Sequence, residues 1–196
     1  MLHIVYGASA SGKSSYAESF AMSLQGEGRL LYIATMYPYK WNTTEIDPET
    51  MQRIESHRAM RADKGFDTVE CYRHVEHIVA KRQDVLLLEC MSNLLANEMY
   101  LEPDSNAGSD MAETMSPVSN KIVQALIDLS TRVQDVVIVT NDVFSDGGSL
   151  TYDESTREYV KNLAEINCAL ARVAETVTEV VCGIPVIVKK NHPMGK

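Results

Sequence analysis

Residues 7–14 read Gly-Ala-Ser-Ala-Ser-Gly-Lys-Ser. That spacing matches G-x-x-x-x-G-K-[ST], a turn whose backbone N–H groups close around phosphate. In this pattern Gly7 and Gly12 allow backbone angles that a Cβ would forbid, while Ala8, Ser9, Ala10 and Ser11 supply the inward N–H groups. Lys13 is expected to reach the β and γ phosphates, and the Ser14 hydroxyl to ligate Mg²⁺. Such a loop also needs a carboxylate at a nearby strand end to hold the metal or its water shell. Glu89, closing Val-Leu-Leu-Leu-Glu, fits best, and Asp142 is the second candidate.

A second group lies further on. Arg53, His57 and Arg61 are spaced by four, with Arg58 beside them, so a helix stacks them on one face. Like charges at that spacing repel, and the cluster makes most sense facing an anion. Arginines nearby also disfavour protonated imidazole. A neutral imidazole can attack phosphorus. The residues alone leave two readings open: a nucleophile or phosphate contact, and a solvated helix face. His3, His74, His77 and His192 have no plausible set of metal partners and read as structural or solvated.

The elements that must position these groups follow from hydrophobic patterning. Leu2–Tyr6, Leu30–Ala34, Val85–Glu89 and Val136–Thr140 are apolar runs of buried-strand type, and Phe66–Glu70 is a shorter strand. Helices are predicted over Ser14–Gln25, Glu49–Ala62, Arg73–Arg82, Ser92–Leu101, Pro117–Val133 and Asp153–Thr176. Within Arg73–Arg82 the apolar stripe is Val75, Ile78 and Val79. Glu179–Lys189 reads as a hairpin about Gly183. Residues 102–116 and 141–152 read as loops, the first long enough to be a lid. Strands alternating with helices predict one α/β domain over residues 1–196. It should be P-loop NTPase-like, with a mainly parallel sheet, helices on both faces and a C-terminal hairpin.

Composition narrows the partners. The chain has 196 residues, 45% of them hydrophobic, and a net charge of −9. That acidity argues against a nucleic-acid backbone as ligand. Its apolar runs fall well short of the ~20 residues needed to span a bilayer, and no signal peptide is evident. The four cysteines, Cys71, Cys90, Cys168 and Cys182, form no C-x-x-C pair and read as buried, reduced thiols of a cytoplasmic protein.

Taken together, GASASGKS at 7–14, LYIAT at 31–35, RIESHRAMR at 53–61, TVECYRH at 68–74, LLLECMSNLLANEM at 87–99, VVIVTNDV at 136–143 and the stretch from REYVKNLAEINCALA to GIPVIVK resemble a known family. This is the bifunctional adenosylcobinamide kinase and adenosylcobinamide-phosphate guanylyltransferase of cobalamin biosynthesis, and the resemblance covers nearly the whole chain. It implies a P-loop fold assembled as a homotrimer. It implies a kinase step, in which a nucleoside triphosphate (ATP or GTP) phosphorylates adenosylcobinamide. It also implies a transfer step, in which GTP gives GMP to a histidine and then to the phosphorylated corrinoid. The guanylylated histidine matches His57. Ala34, Thr35 and Met36, Arg58, Ala59, Met60 and Arg61, Glu70 and Glu89 match guanine-nucleotide positions. Three features depart from the family: Ala10 replaces the usual Arg, FSDGGSLT at 144–151 replaces a glycine-rich run, and the segment 36–48 is longer than usual. Two other readings keep less of this chemistry: a P-loop small-molecule kinase without guanylyltransferase activity, and a nucleotide-binding regulatory protein without turnover.

Overall fold

A computed structural model describes residues 1–41, 43–101, 115–142 and 152–191. Most of the expected 102–116 loop, the 144–151 run and His192 lie outside them. The strands are β1 (Leu2–Gly7), β2 (Leu30–Ala34), β3 (Phe66–Glu70), β4 (Val85–Glu89), β5 (Asp135–Asn141), β6 (Thr176–Val181) and β7 (Ile184–Lys190). The helices are α1 (Lys13–Leu24), α2 (Pro48–Arg61), α3 (Met91–Tyr100), α4 (Pro117–Arg132) and α5 (Glu154–Val173).

The strands form one sheet in the order β3-β2-β4-β5-β1-β6-β7. Every pairing is parallel except β6 with β7, which is antiparallel. Side chains alternate across the pleat, so a continuous apolar strand feeds two cores. In β4, Leu86 and Leu88 pack on one face with residues of α3, α4 and α5. Val85 and Leu87 pack on the other with Ala17 and Ala21 of α1. This is the predicted α/β architecture, a mainly parallel sheet with helices on both faces and a C-terminal hairpin. No helix among the described residues is long and apolar enough to cross a membrane.

Two element predictions fail, for local reasons. The Arg73–Arg82 helix is only a single 3-10 turn, Val75–His77, entered through His74 at φ 57. Val75 and Ile78 are still buried, but Val79 is 87% exposed. A spacing of three suits a 3-10 turn, where i and i+3 eclipse, as well as it suits an α-helix. The α5 helix also ends at Val173 rather than 176, and Val177 belongs to β6. The β-branched run Thr176-Val177-Thr178 prefers the pleated strand, and its place four residues after Val173 only mimics the helical stripe. Cys168 and Cys182 are exposed rather than buried, and all four thiols are free.

Candidate active site

The strand–loop–helix turn from β1 to α1 is shaped by its two glycines in different ways. Gly12 sits at φ +90, where L side chains are strained, and a Cβ there would come within 3.1 Å of Gly183 Cα. Gly7 is needed for space instead. A Cβ on it would lie 2.5 Å from the Val180 carbonyl and 2.7 Å from Ser11 Oγ. The β6–β7 turn braces the loop from behind, with the Gly183 N–H donating to the Ser11 carbonyl at 2.8 Å. Ala10 holds φ 57 and is exposed. Lys13 is buried and donates through Nζ to the Ala8 carbonyl at 3.1 Å, which lays its ammonium across the loop mouth.

The Ser14 hydroxyl donates to Glu89 Oε1 at the end of β4. Glu89 Oε2 is buried with no hydrogen-bond partner. Burial pushes the Glu89 carboxyl up, against the Ser14 bond and the Lys13 charge, which pull it down. A hydroxyl and an orphaned carboxylate oxygen, joined by the oxygens of a phosphate held in the adjacent loop, would form an all-oxygen donor set. Such a set suits Mg²⁺, which keeps several of its waters and takes few protein ligands. Ser14 and Glu89 therefore fit the metal. Asp142, at the other strand end, does not line this space.

Opposite the loop stands α2, a polar helix with Arg61 as its buried residue. Arg61 fixes it to the sheet: its guanidinium carbon lies 3.5 Å from the centre of the Tyr32 ring, and Nη1 donates to the His57 carbonyl at 2.9 Å. Cation–π stacking of this kind contributes about 0.5–2 kcal/mol. Arg61 Nε is buried with no partner. Lys64, just past the helix, pairs with the buried Glu18 of α1. His57 is half-buried. Burial holds its pKa below the usual imidazole value, and Arg61 and Arg53 push it further the same way, against Glu18. Burial and the arginines together disfavour the protonated ring, and the arginine share is the part the sequence pattern predicted. Arg58 pairs with Glu70, which also accepts from the Tyr72 hydroxyl at 2.9 Å.

These groups enclose one cavity of about 340 Å³. Ser9, Ala10, Lys13 and Ser14 face it from the loop, and His57, Arg58 and Arg61 from α2. Ala34, Met36, Glu70 and Glu89 complete the predicted set. Gly7, Ala8, Ser11 and Gly12 shape the loop without lining the cavity. Three more of the predicted residues lie outside the lining. Thr35 is fully buried and bonds the Cys90 carbonyl at 3.0 Å, while Ala59 and Met60 are exposed on α2. Sequence reasoning missed Tyr32, Tyr72, Cys90, Ser92, Asn93 and Asn141, which also line it. Most sit at or just beyond the carboxyl ends of strands, where open α/β sheets bind ligands, and that rule could have found them. Asn141 Nδ2 donates to Ser92 Oγ at 2.8 Å, tying the ends of β5 and β4 together.

Comparison with known proteins gives the following. No curated protein sequence matches the chain. Among solved structures, the flagellar accessory protein FlaH from Methanocaldococcus jannaschii aligns at 14% identity over 97% of this chain and 78% of its own, with a TM-score of 0.48. The RadB recombinase aligns at 15% identity over 91% of this chain and 73% of its own, with a TM-score of 0.41. The family model for cobinamide kinase / cobinamide phosphate guanyltransferase matches residues 3–188. With nearly its whole length matched, the chain belongs to that family, the cobinamide kinase / cobinamide phosphate guanyltransferases of cobalamin biosynthesis.

Proposed function

We propose that this chain carries out both reactions in the one cavity, with His57 as a covalent relay. In the kinase step the aminopropanol hydroxyl of adenosylcobinamide attacks the γ-phosphorus of ATP or GTP. The hydroxyl proton is lost and the nucleoside diphosphate leaves. Catalysis here is mainly positioning and charge stabilisation, which Lys13 and the loop N–H groups supply. In the transfer step a ring nitrogen of His57 attacks the α-phosphorus of GTP. A P–N bond forms, the bond to the bridging oxygen breaks, and pyrophosphate leaves. A phosphate oxygen of the phosphorylated corrinoid then attacks the same phosphorus, the P–N bond breaks, and adenosylcobinamide-GDP forms with the imidazole restored.

Mg²⁺ held by Ser14 and Glu89 would neutralise charge on the phosphates. Arg58 and Arg61 stand on the His57 side, where they would offset charge on the α-phosphate under attack, while Lys13 and the loop N–H groups would take the charge that builds on the departing pyrophosphate. Ala34, Met36 and Glu70 lie between, at the guanosine end of the proposed pose. A homotrimer is part of the reading. The edge strand β7 supports an assembly of copies, because Ile184, Val186, Ile187 and Val188 are all 47–65% exposed, and bare apolar edges are otherwise an aggregation hazard. Light scattering reads the oligomeric state.

One observation carries the proposal: the phosphate loop and His57 line the same 340 Å³ cavity. Incubation with α-labelled GTP and Mg²⁺ tests it. Wild type should take up acid-labile, base-stable label, and His57→Ala should take up none. Equal labelling of the two removes the transfer step. Conversion of adenosylcobinamide to its monophosphate alone would leave a kinase.

A further inference from the structure

Beside the nucleotide cavity, beyond Glu70 and Tyr72, lies a second and more open hollow of about 1260 Å³. Glu70 and Tyr72 belong to both, so the two spaces share a wall. Small-molecule sites usually hold ~300–1,000 Å³. The first cavity is at the low end, right for a nucleotide, and the second exceeds the range. Another hollow bordering the nucleotide cavity, at Met36, Arg53 and Asn93, is about 370 Å³ and scarcely larger than the nucleotide space itself.

The lining of the large hollow is mixed. Val69, Ile78 and Val79 give it apolar wall, and Val79 stands 87% exposed there. Tyr37 packs edge-on against Tyr72, with ring centres 5.4 Å apart. His74 and His77 add a flat pair of rings stacked 5.6 Å apart and 22° from parallel. A surface of flat rings and aliphatic groups edged by hydrogen-bonding side chains suits a broad macrocycle with amides on its rim.

The geometry points to this hollow as the acceptor site, seating the corrin ring of the substrate with its aminopropanol arm running past Tyr72 and Glu70 into the nucleotide cavity. The assignment rests on the function proposed above, and it locates a substrate which that function requires. The shared wall explains how one seated ring serves both reactions. Only the tip of the arm has to move, from the γ-phosphate above the loop to the GMP on His57, and Arg58 at the Glu70 boundary lies toward that second position. The bulky ring stays outside the narrow space where water must be excluded.

Val79→Trp and Val79→Glu test the site. The residue is almost fully exposed in a non-helical segment, so both chains should fold. Equilibrium dialysis with adenosylcobinamide, read by its absorbance, should show binding weakened at least tenfold in both variants. Label transfer from GTP to His57 without corrinoid should stay within twofold of wild type. Corrinoid affinity within threefold of wild type in both variants overturns the assignment, as does a wild type that binds no adenosylcobinamide. A changed oligomeric state with unchanged corrinoid affinity also overturns it, and gives the hollow to contacts between copies. If wild-type His57 takes no label, the transfer reaction fails instead, and dialysis still decides the site.

Discussion

At the scale of single residues, the site is organised around keeping one imidazole uncharged. His57 loses solvent to burial and faces Arg61 and Arg53, and both effects disfavour its protonated form. Unperturbed imidazole titrates near 6.5. A depressed value means that His57 becomes neutral, and nucleophilic, at lower pH than that. The single-turnover rate of label transfer should therefore show an acid limb with its midpoint below about 6.5, flat above it. Arg53 is exposed, so its influence passes largely through solvent and is screened by salt. Arg53→Gln should move the midpoint upward, toward the free value, and added salt should shrink the difference between the two proteins. A wild-type midpoint above 6.5 would contradict the electrostatic account of the nucleophile. Arg61 cannot be tested so cleanly, because it also stacks on Tyr32 and holds the His57 carbonyl, so its removal disturbs the position of α2 as well as its charge.

At the scale of elements, the phosphate loop is held in a vice between its own strand and the β6–β7 turn. Gly7→Ala pushes a methyl into the Val180 carbonyl, 2.5 Å away. Overpacking of this type costs about 1–3 kcal/mol, and relief requires β1 to separate from β6 at the point where the loop begins. Gly7→Ala should thus lower the thermal midpoint and abolish label uptake together. Gly26→Ala, where the added carbon meets only the end of Gln134 at 3.4 Å, should change neither. The loop was legible in the sequence because its motif lies within eight residues, whereas the distant β6–β7 turn that braces it was not. Glu89 was legible for a related reason: an acid ending an apolar strand has one place to go. Groups joined across the fold were not. The stacking of Arg61 on Tyr32 and the Arg58–Glu70 pair depend on how α2 settles over β2 and β3, which no local pattern encodes. Ala59 and Met60, matched to nucleotide positions by the family resemblance, are exposed on α2 and do not line the cavity. The 73–82 segment failed because a stripe of three apolar residues cannot tell one turn from three.

At the scale of the whole molecule, the two ends of the sheet divide the work. The carboxyl ends of β1, β2, β4 and β5 hold the cavity, with an orphaned carboxylate oxygen and an unpaired guanidinium nitrogen among the side chains that line it. The amino ends hold buried charges that are satisfied. Asp84, just before β4, accepts from the Arg29 N–H at 3.0 Å, the Arg29 guanidinium at 2.6 Å and the Lys81 N–H at 2.8 Å. Asp135 at the start of β5 bonds His3, which in turn meets Thr176. Burial alone would raise both carboxyls. For Asp84 the bonds from Arg29 and Lys81 outweigh it, and for Asp135 the bond from His3 and the charge of the N-terminus do so. Both values therefore lie below that of an unfolded aspartate, near 3.9. A depressed carboxylate contributes stability that is present above about pH 4 and lost as pH falls through the folded value. Thermal melts followed by circular dichroism should show a midpoint that is steady from pH 7 to 5 and drops toward pH 3. Asp84→Asn should melt lower at pH 7, since an amide cannot serve three donors as a carboxylate does, and should show a smaller fall on acidification. Because these contacts sit at the end of the sheet remote from His57, the variant should still take label from GTP below its melting range. Loss of labelling in a folded Asp84→Asn protein would mean that the two ends of the sheet are coupled rather than separate.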